Sequence, residues 1–203
     1  MISIIFSLIV LLFSVVIHEV SHGAMADYLG DPTAKYAGRL SLNPIKHLDL
    51  FGSIVLPISL LILTGGQGPI FGWAKPVPIN PYNFRDKKWG NLKVALAGPG
   101  SNLLIALFFG LLIRFLNFPF QFPSFLSIIV IINLVLAIFN LVPIPPLDGS
   151  HILFALLPEK TLKIQRILFQ YGILILILFI FLVFPLIDSV IFFVYRIITG
   201  KPF

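Results

Sequence analysis

Four runs of the chain, Ile2–Ile17, Ala95–Ile113, Phe125–Val142 and Ile167–Ile187, carry no charged residue. A helix needs roughly 20 apolar residues to cross the hydrocarbon core of a bilayer, and backbone groups in lipid must be satisfied within the protein. The runs therefore predict an all-α polytopic membrane protein. Composition agrees: 58% of the 203 residues are hydrophobic and 11% are charged, too few charges for a water-facing surface. The first run is slightly short on its own and is completed by the residues after Ile17. It lacks a basic leading region and continues into His18-Glu19 rather than a small-residue cleavage site, so it is expected to be retained.

The first helix is predicted from about Ile2 to Leu29, ended by Gly30-Asp31-Pro32, because proline cannot continue the ladder. Lys35 to Leu42 shows short alternation around a glycine and predicts a small hairpin or extended β segment. Leu50 to Thr64 is apolar but short, contains Pro57 and runs into a glycine-rich stretch, which predicts a re-entrant segment. Gly65 to Lys93 is the longest polar region. Helices two and three are expected at about Leu92–Phe115 and Ser124–Val142, then one or two C-terminal helices, the tail Leu186–Thr199 being too short for a clear span. A single membrane-embedded domain over residues 1–203 is expected, with a core of three spanning helices in 1–151 and C-terminal helices in 152–203.

Charge supports the re-entrant reading. Lys35, Arg39 and Lys46 precede the short segment, while Lys75, Arg85, Lys87, Lys88 and Lys93 lie beyond it. A full crossing would split them between faces, whereas a return keeps nearly all, with Lys160, Lys163 and Arg166, on the cytoplasmic side of a plasma-membrane protein. The net charge of +6 is thus explained by anchoring, and no nucleic-acid partner is expected.

The chain has no cysteine, so a metal would be held by nitrogen and oxygen ligands. His18-Glu-Val-Ser-His22 is an H-E-x-x-H motif: two imidazoles on one helix face reach one zinc while Glu19 touches its water. The plainer reading is a pair of histidines bonded to backbone carbonyls, disfavoured because three such side chains in an apolar helix are costly unless coordinated or paired. Asp148, after the prolines 143, 145 and 146, is the best third ligand, its alternative being a helix N-cap. Re-entry places it at the same end as the His pair. Asn102, in Ala97-Gly-Pro-Gly-Ser-Asn102, either donates to a substrate carbonyl or oxyanion or ties helix two to a neighbour, and Asn140 is open in the same way. His151 is given a secondary role, and His47, in a charged loop, is expected to be solvated.

Together these residues resemble the site-2 protease family of intramembrane metalloproteases, peptidase family M50. The resemblance rests on His18-Glu-Val-Ser-His22, on Gly98-Pro99 with Asn102, and on Asn140-x-x-Pro143-x-Pro145-Pro146-Leu147-Asp148-Gly149. Arg39-Leu-Ser-Leu-Asn43-Pro44 and Gly72-Trp-Ala-Lys-Pro-Val-Pro-Ile-Asn-Pro81 also look like short members, without PDZ or CBS domains. It implies one zinc ion per chain bound by His18, His22 and Asp148, with Glu19 as general base. The implied substrates are transmembrane segments of membrane-anchored proteins; the charge count above puts the site toward the cytoplasm, and a homo-oligomer is compatible. The competing reading is a metal or proton-coupled transporter using the same cluster, which the chain's shortness and lack of a repeat disfavour.

Overall fold

The computed structural model describes residues 2–63, 65, 74–116, 119, 122–158 and 161–201. Gly72 and Trp73, and the Thr64 end of the apolar Leu50–Thr64 segment, lie outside the described residues. Helices run through α1 (Ile2–Tyr28), α2 (Thr33–Tyr36), α3 (Leu56–Leu63, entered by a wide π turn at Leu50–Val55), α4 (Gly90–Phe115), α5 (Phe122–Asn140), α6 (Asp148–Leu156), α7 (Leu162–Leu182) and α8 (Phe184–Thr199). Four of them, α1, α4, α5 and α7, are long and apolar enough to cross a membrane. α1 and α4 hold the first two uncharged runs whole, α5 holds the third as far as Asn140, and the fourth, Ile167–Ile187, passes the end of α7 at Leu182 into α8. At 1.5 Å per residue the 27 residues of α1 span about 40 Å, more than the roughly 30 Å of a hydrocarbon core.

Helix α4 packs between α1 and α5, and α8 closes over α4 and α5. The apolar core lies there: Ala106 and Ile113 of α4, Leu126, Val130 and Leu134 of α5, and Ile187, Ile191 and Tyr195 of α8. The α8 residues recur every four positions and so form one stripe. The tail judged too short to span is thus a packed helix, further tied by the Tyr195 hydroxyl to Ser127 Oγ at 2.7 Å and by the Arg114 guanidinium to the Ile197 carbonyl at 2.8 Å. In contrast, α7 shows most of its surface, as a lipid-facing helix does.

Contacts fix the helix directions. His22 meets Val94 while His18 meets Asn102, so residue number falls along α1 as it rises along α4 and the two are antiparallel. Ser14 meets Asn133 in α5, whose far end leads to Asp148 beside His18, so α5 runs parallel to α1. Consequently residues 29–89 leave and re-enter the bundle at the same end.

The predicted hairpin at Lys35–Leu42 is not formed, and no strand occurs among the described residues. Thr33–Tyr36 is a helical turn instead, and Gly38, at φ +65°, breaks the alternation that suggested a strand. The N–H groups of residues 36–39 are met by local turns rather than by a ladder, that of Gly38 by the Lys35 carbonyl and that of Arg39 by the Ala34 carbonyl, and two buried side chains brace the segment. The Arg39 guanidinium donates to the carbonyls of Lys46, of Lys75 (2.6 Å) and of Pro76 (3.4 Å), and His47 Nε2 donates to the Ser41 carbonyl at 2.8 Å. His47 is accordingly buried, not solvated, since its ring closes this turn from below.

Candidate metal centre

Two four-residue ladders face each other across α1 and α4: Ser14, His18 and His22 on one, Val94, Gly98 and Asn102 on the other. A helix repeats every 3.6 residues, so each set lies on one face. Gly98 is the point of closest approach. A Cβ there would fall 2.6 Å from His18 Nε2 and nearer still to His22 Nε2, so only glycine admits both rings. Pro99 is next in the chain and cannot donate to the carbonyl four residues back, which loosens the ladder beside Val94.

Both rings are oriented from behind. His22 Nδ1 donates to the Val94 carbonyl at 2.7 Å, which leaves Nε2 of the neutral ring with its lone pair facing inward. His18 Nδ1 lies 2.7 Å from Asn102 Oδ1. Asn102 is fully buried and turned away from the cavity, its Nδ2 donating to the Ser14 carbonyl at 3.3 Å and to Asn133 Oδ1 at 2.9 Å. These bonds tie α4 to α1 and α5.

Asp148 arrives from the other side. The turns at 141–147 end α5, with Asn140 Nδ2 bonded to the Leu136 carbonyl at 2.9 Å, and start α6, which packs on α4. Gly149 allows this turn to close, because a Cβ there would run into the Leu141 carbonyl. Leu147, not Asp148, is the N-cap residue of α6. The Asp148 carboxylate instead faces the His pair, Oδ2 at 3.0 Å from His18 Nε2 and Oδ1 at 3.3 Å from His22 Nε2.

The two Nε2 atoms are 3.1 Å apart, and Asp148 Oδ2 is buried without a hydrogen-bond partner. Acceptors converging on one point repel unless a cation lies among them. Tetrahedral zinc with ligands at 2.0–2.1 Å separates them by about 3.3 Å, close to all three spacings. The donor set therefore fits a zinc ion. His18, His22 and Asp148 are also the group of metal-binding side chains found among the described residues.

A cavity of about 390 Å³ opens beside them, and Glu19, Val77, Asn91, Asn140 and His151 contribute to its wall. Glu19 Oε2 accepts the Val77 N–H at 2.9 Å. Val77 belongs to the extended segment 74–80, held in place at its start by the Lys75 N–H to the His47 carbonyl and by Arg39. Its end is held by Asp31, which is buried and accepts from the Asn80 N–H at 2.6 Å and from Asn83 Nδ2 at 2.8 Å. Burial alone would push the Asp31 carboxyl up, but bonds from Thr33, Asn80 and Asn83 outweigh it and hold the group below the usual carboxylate range. His151 lines the cavity against Phe169 and lies outside the three-ligand group.

Sequence reasoning passed over Ser14 and Asn133, and gave Arg39 and Val77, quoted within stretches that resemble the family, no role at the site. For Asn133 a signal existed: an amide in the middle of an apolar spanning run must find a buried partner.

A family profile described as Peptidase family M50 matches residues 118–179. Over 183 residues the chain is 40% identical to Putative zinc metalloprotease YwhC of Bacillus subtilis, an alignment covering 85% of this chain and 78% of that one. Against Putative zinc metalloprotease Rip2 of Mycolicibacterium smegmatis the identity is 33% over 171 residues, 82% of this chain and 62% of the relative. Zinc metalloprotease MJ0392 of Methanocaldococcus jannaschii is 32% identical over 100 residues, 47% of this chain and 30% of that one. No solved structure matches. With its apolar helices and this relationship to YwhC, the chain is a multi-pass membrane protein and belongs to peptidase family M50.

Proposed function

We propose that this chain is a zinc metalloendopeptidase that hydrolyses peptide bonds in or beside transmembrane helices of membrane-anchored proteins. The observation that carries the reading is the convergence of His18 Nε2, His22 Nε2 and Asp148, with its unpartnered oxygen, beside a cavity that also contains Glu19. His18, His22 and Asp148 hold the metal. When bound, zinc supplies Lewis acidity, polarising the scissile carbonyl and acidifying water. Glu19 is the general base. The Val77 N–H occupies its Oε2, which fixes the carboxylate and leaves Oε1 to take a proton from the attacking water and return it to the leaving amine. Asn140 and His151 line the cavity wall, where Asn140 serves the substrate or, through its bond to the Leu136 carbonyl, supports the end of α5, and His151 has a secondary role.

His18 lies about 24 Å along α1 from Ile2, within the second half of the helix. On this reading the site sits inside the bilayer toward one face, and the clustering of Lys and Arg supports the cytoplasmic side of a plasma-membrane protein. Residues 29–89 begin and end at that face, and their apolar part re-enters it, leaving α1, α4 and α5 as the catalytic core. Membership of a peptidase family outweighs the transporter reading.

The test is cleavage of a labelled panel of transmembrane substrates by purified protein in detergent. Glu19→Gln is expected to retain zinc and lose at least about 100-fold in rate, general-base catalysis being worth 10²–10⁴. Chelation should abolish cleavage and zinc restore it. A wild-type protein that takes up no metal at these residues refutes the reading.

A further inference from the structure

Behind His18 lies a chain of hydrogen bonds that reaches the middle of α5. Its members are buried: Ser14 is 4% exposed, and Asn102 and Asn133 are 0% exposed. Each amide has one end that donates and one that accepts, so its orientation is dictated by neighbours of fixed character. Asn133 Nδ2 lies 2.9 Å from the Ile129 carbonyl and 3.0 Å from Ser14 Oγ. A carbonyl only accepts, so the nitrogen must be at that end and Oδ1 at the other. Asn133 Oδ1 therefore receives Asn102 Nδ2 at 2.9 Å, an arrangement the Ser14 carbonyl enforces a second time at 3.3 Å. Asn102 Oδ1 is then turned to His18, and Nδ1 of that ring, at 2.7 Å, must carry a proton. The proton on Nδ1 is what leaves Nε2 of the neutral ring free to bind a cation.

We propose that Asn133, with Ser14, is a positioning residue for the metal site: it fixes the amide of Asn102 and through it the tautomer and tilt of His18. The proposal deepens the zinc reading above and rests on it. The two histidines are set by different means. His22 uses a backbone carbonyl of α4, which cannot turn over, whereas His18 uses a side-chain amide, which can and so needs the relay. A polar residue at Asn133 has no contact with the cavity, and a role in packing alone would not require its bonds to be ordered toward the histidine.

The experiment is a double-mutant cycle on zinc affinity, measured by chelator competition with purified protein in detergent. Asn133→Leu, close in size, should lower zinc affinity 10- to 100-fold, the usual cost of losing an outer hydrogen bond on a ligating histidine. In an Asn102→Leu background the same change should cost less than threefold, because the relay is already cut. A loss under threefold with Asn102 present, or losses that multiply, overturns the proposal. Metal-free wild-type protein gives a test that needs no variant at the relay. With ¹⁵N-labelled imidazoles at pH 9, assigned by replacing His22, His47 and His151 in turn, His18 Nδ1 should show the shift of a protonated ring nitrogen. A pyridine-like Nδ1 overturns the relay. Absence of zinc from the wild-type protein would refute the zinc reading, while this spectrum still tests the relay.

Discussion

Replacing Gly98 by alanine adds one methyl group, and three distances set its consequence. The new Cβ would lie 2.6 Å from His18 Nε2, 2.7 Å from His18 Cε1 and closer still to His22 Nε2. Carbon and nitrogen do not approach so closely, so the rings or the helix must move. Retreat of His18 is opposed by Asn102 Oδ1 at 2.7 Å, and retreat of His22 by its bond to the Val94 carbonyl, also 2.7 Å. Breaking a buried hydrogen bond and stranding its partner costs about 1–3 kcal/mol, so losing both costs about 2–6 kcal/mol. At 1.4 kcal/mol per factor of ten, zinc affinity should fall roughly 30- to 10⁴-fold, and cleavage with it. Chelator competition measures the first and the labelled-substrate assay the second. Gly100→Ala is the control: nothing lies within 4 Å of its Cβ position, and alanine in a helix interior gains up to about 1 kcal/mol. A Gly98→Ala protein that binds zinc within fivefold of wild type would refute the reasoning, because the rings would then not be fixed by their outer partners.

Arg39→Met should leave zinc content unchanged while lowering kcat about tenfold or more, because the carbonyls of Lys46, Lys75 and Pro76 lose their donor and the segment holding Val77 on Glu19 loosens. Zinc analysis alongside initial rates checks this, and an unchanged kcat would refute it. Asp31→Ala, which strands the Asn80 N–H and Asn83 amide, should destabilise the protein by about 2–4 kcal/mol in thermal unfolding at pH 7. Since the Asp31 carboxyl is held below its unfolded value of 3.8, its stabilisation is complete above that pH and is lost as pH falls through the lower folded value. The gap in melting temperature between wild type and Asp31→Asn should therefore shrink below about pH 4 and stay constant from pH 5 to 7. Gly149→Ala should impair zinc binding by pushing the Leu141–Asp148 turn off its carbonyl contact, as zinc titration of the folded protein would show.

Much of this arrangement is legible in the residues because membrane helices leave few options. An uncharged run of spanning length has one stable form, so composition and length suffice for α1, α4, α5 and α7. The His18–His22 spacing puts two imidazoles on one face whatever surrounds them. The demand that Asp148 share their depth then selects a chain whose residues 29–89 start and end at one side, as the antiparallel α1 and α4 require. Irregular backbone is harder to read. At Lys35–Leu42 the alternation resembles a strand, but a strand needs a partner ladder, and here the backbone closes on itself in turns, the Gly38 N–H on the Lys35 carbonyl and the Arg39 N–H on the Ala34 carbonyl, while the Arg39 side chain reaches the Lys75 carbonyl, 36 residues away. His47 looks solvated in its charged sequence context, since its burial depends on the fold of that same turn.

The metal centre shows the same division more sharply. A motif names the atoms that would touch a metal, yet both histidines owe their orientation to α4, which contributes no ligand. Val94 acts through a carbonyl, which every residue has, and Gly98 through the lack of a side chain, so neither carries a chemical mark in the sequence. Asn102 and Asn133 do carry one, but an amide's role depends on which of its ends meets a carbonyl, and that is settled by helix register. Four-residue spacing along α1 (Ser14, His18, His22) and along α4 (Val94, Gly98, Asn102) is the trace this register leaves. It becomes interpretable only when the two helices are known to run antiparallel. A helix without a ligand can thus constrain a metal site as strongly as the helix that binds, and Gly98 and Asn133 are the positions where that constraint is exposed to experiment.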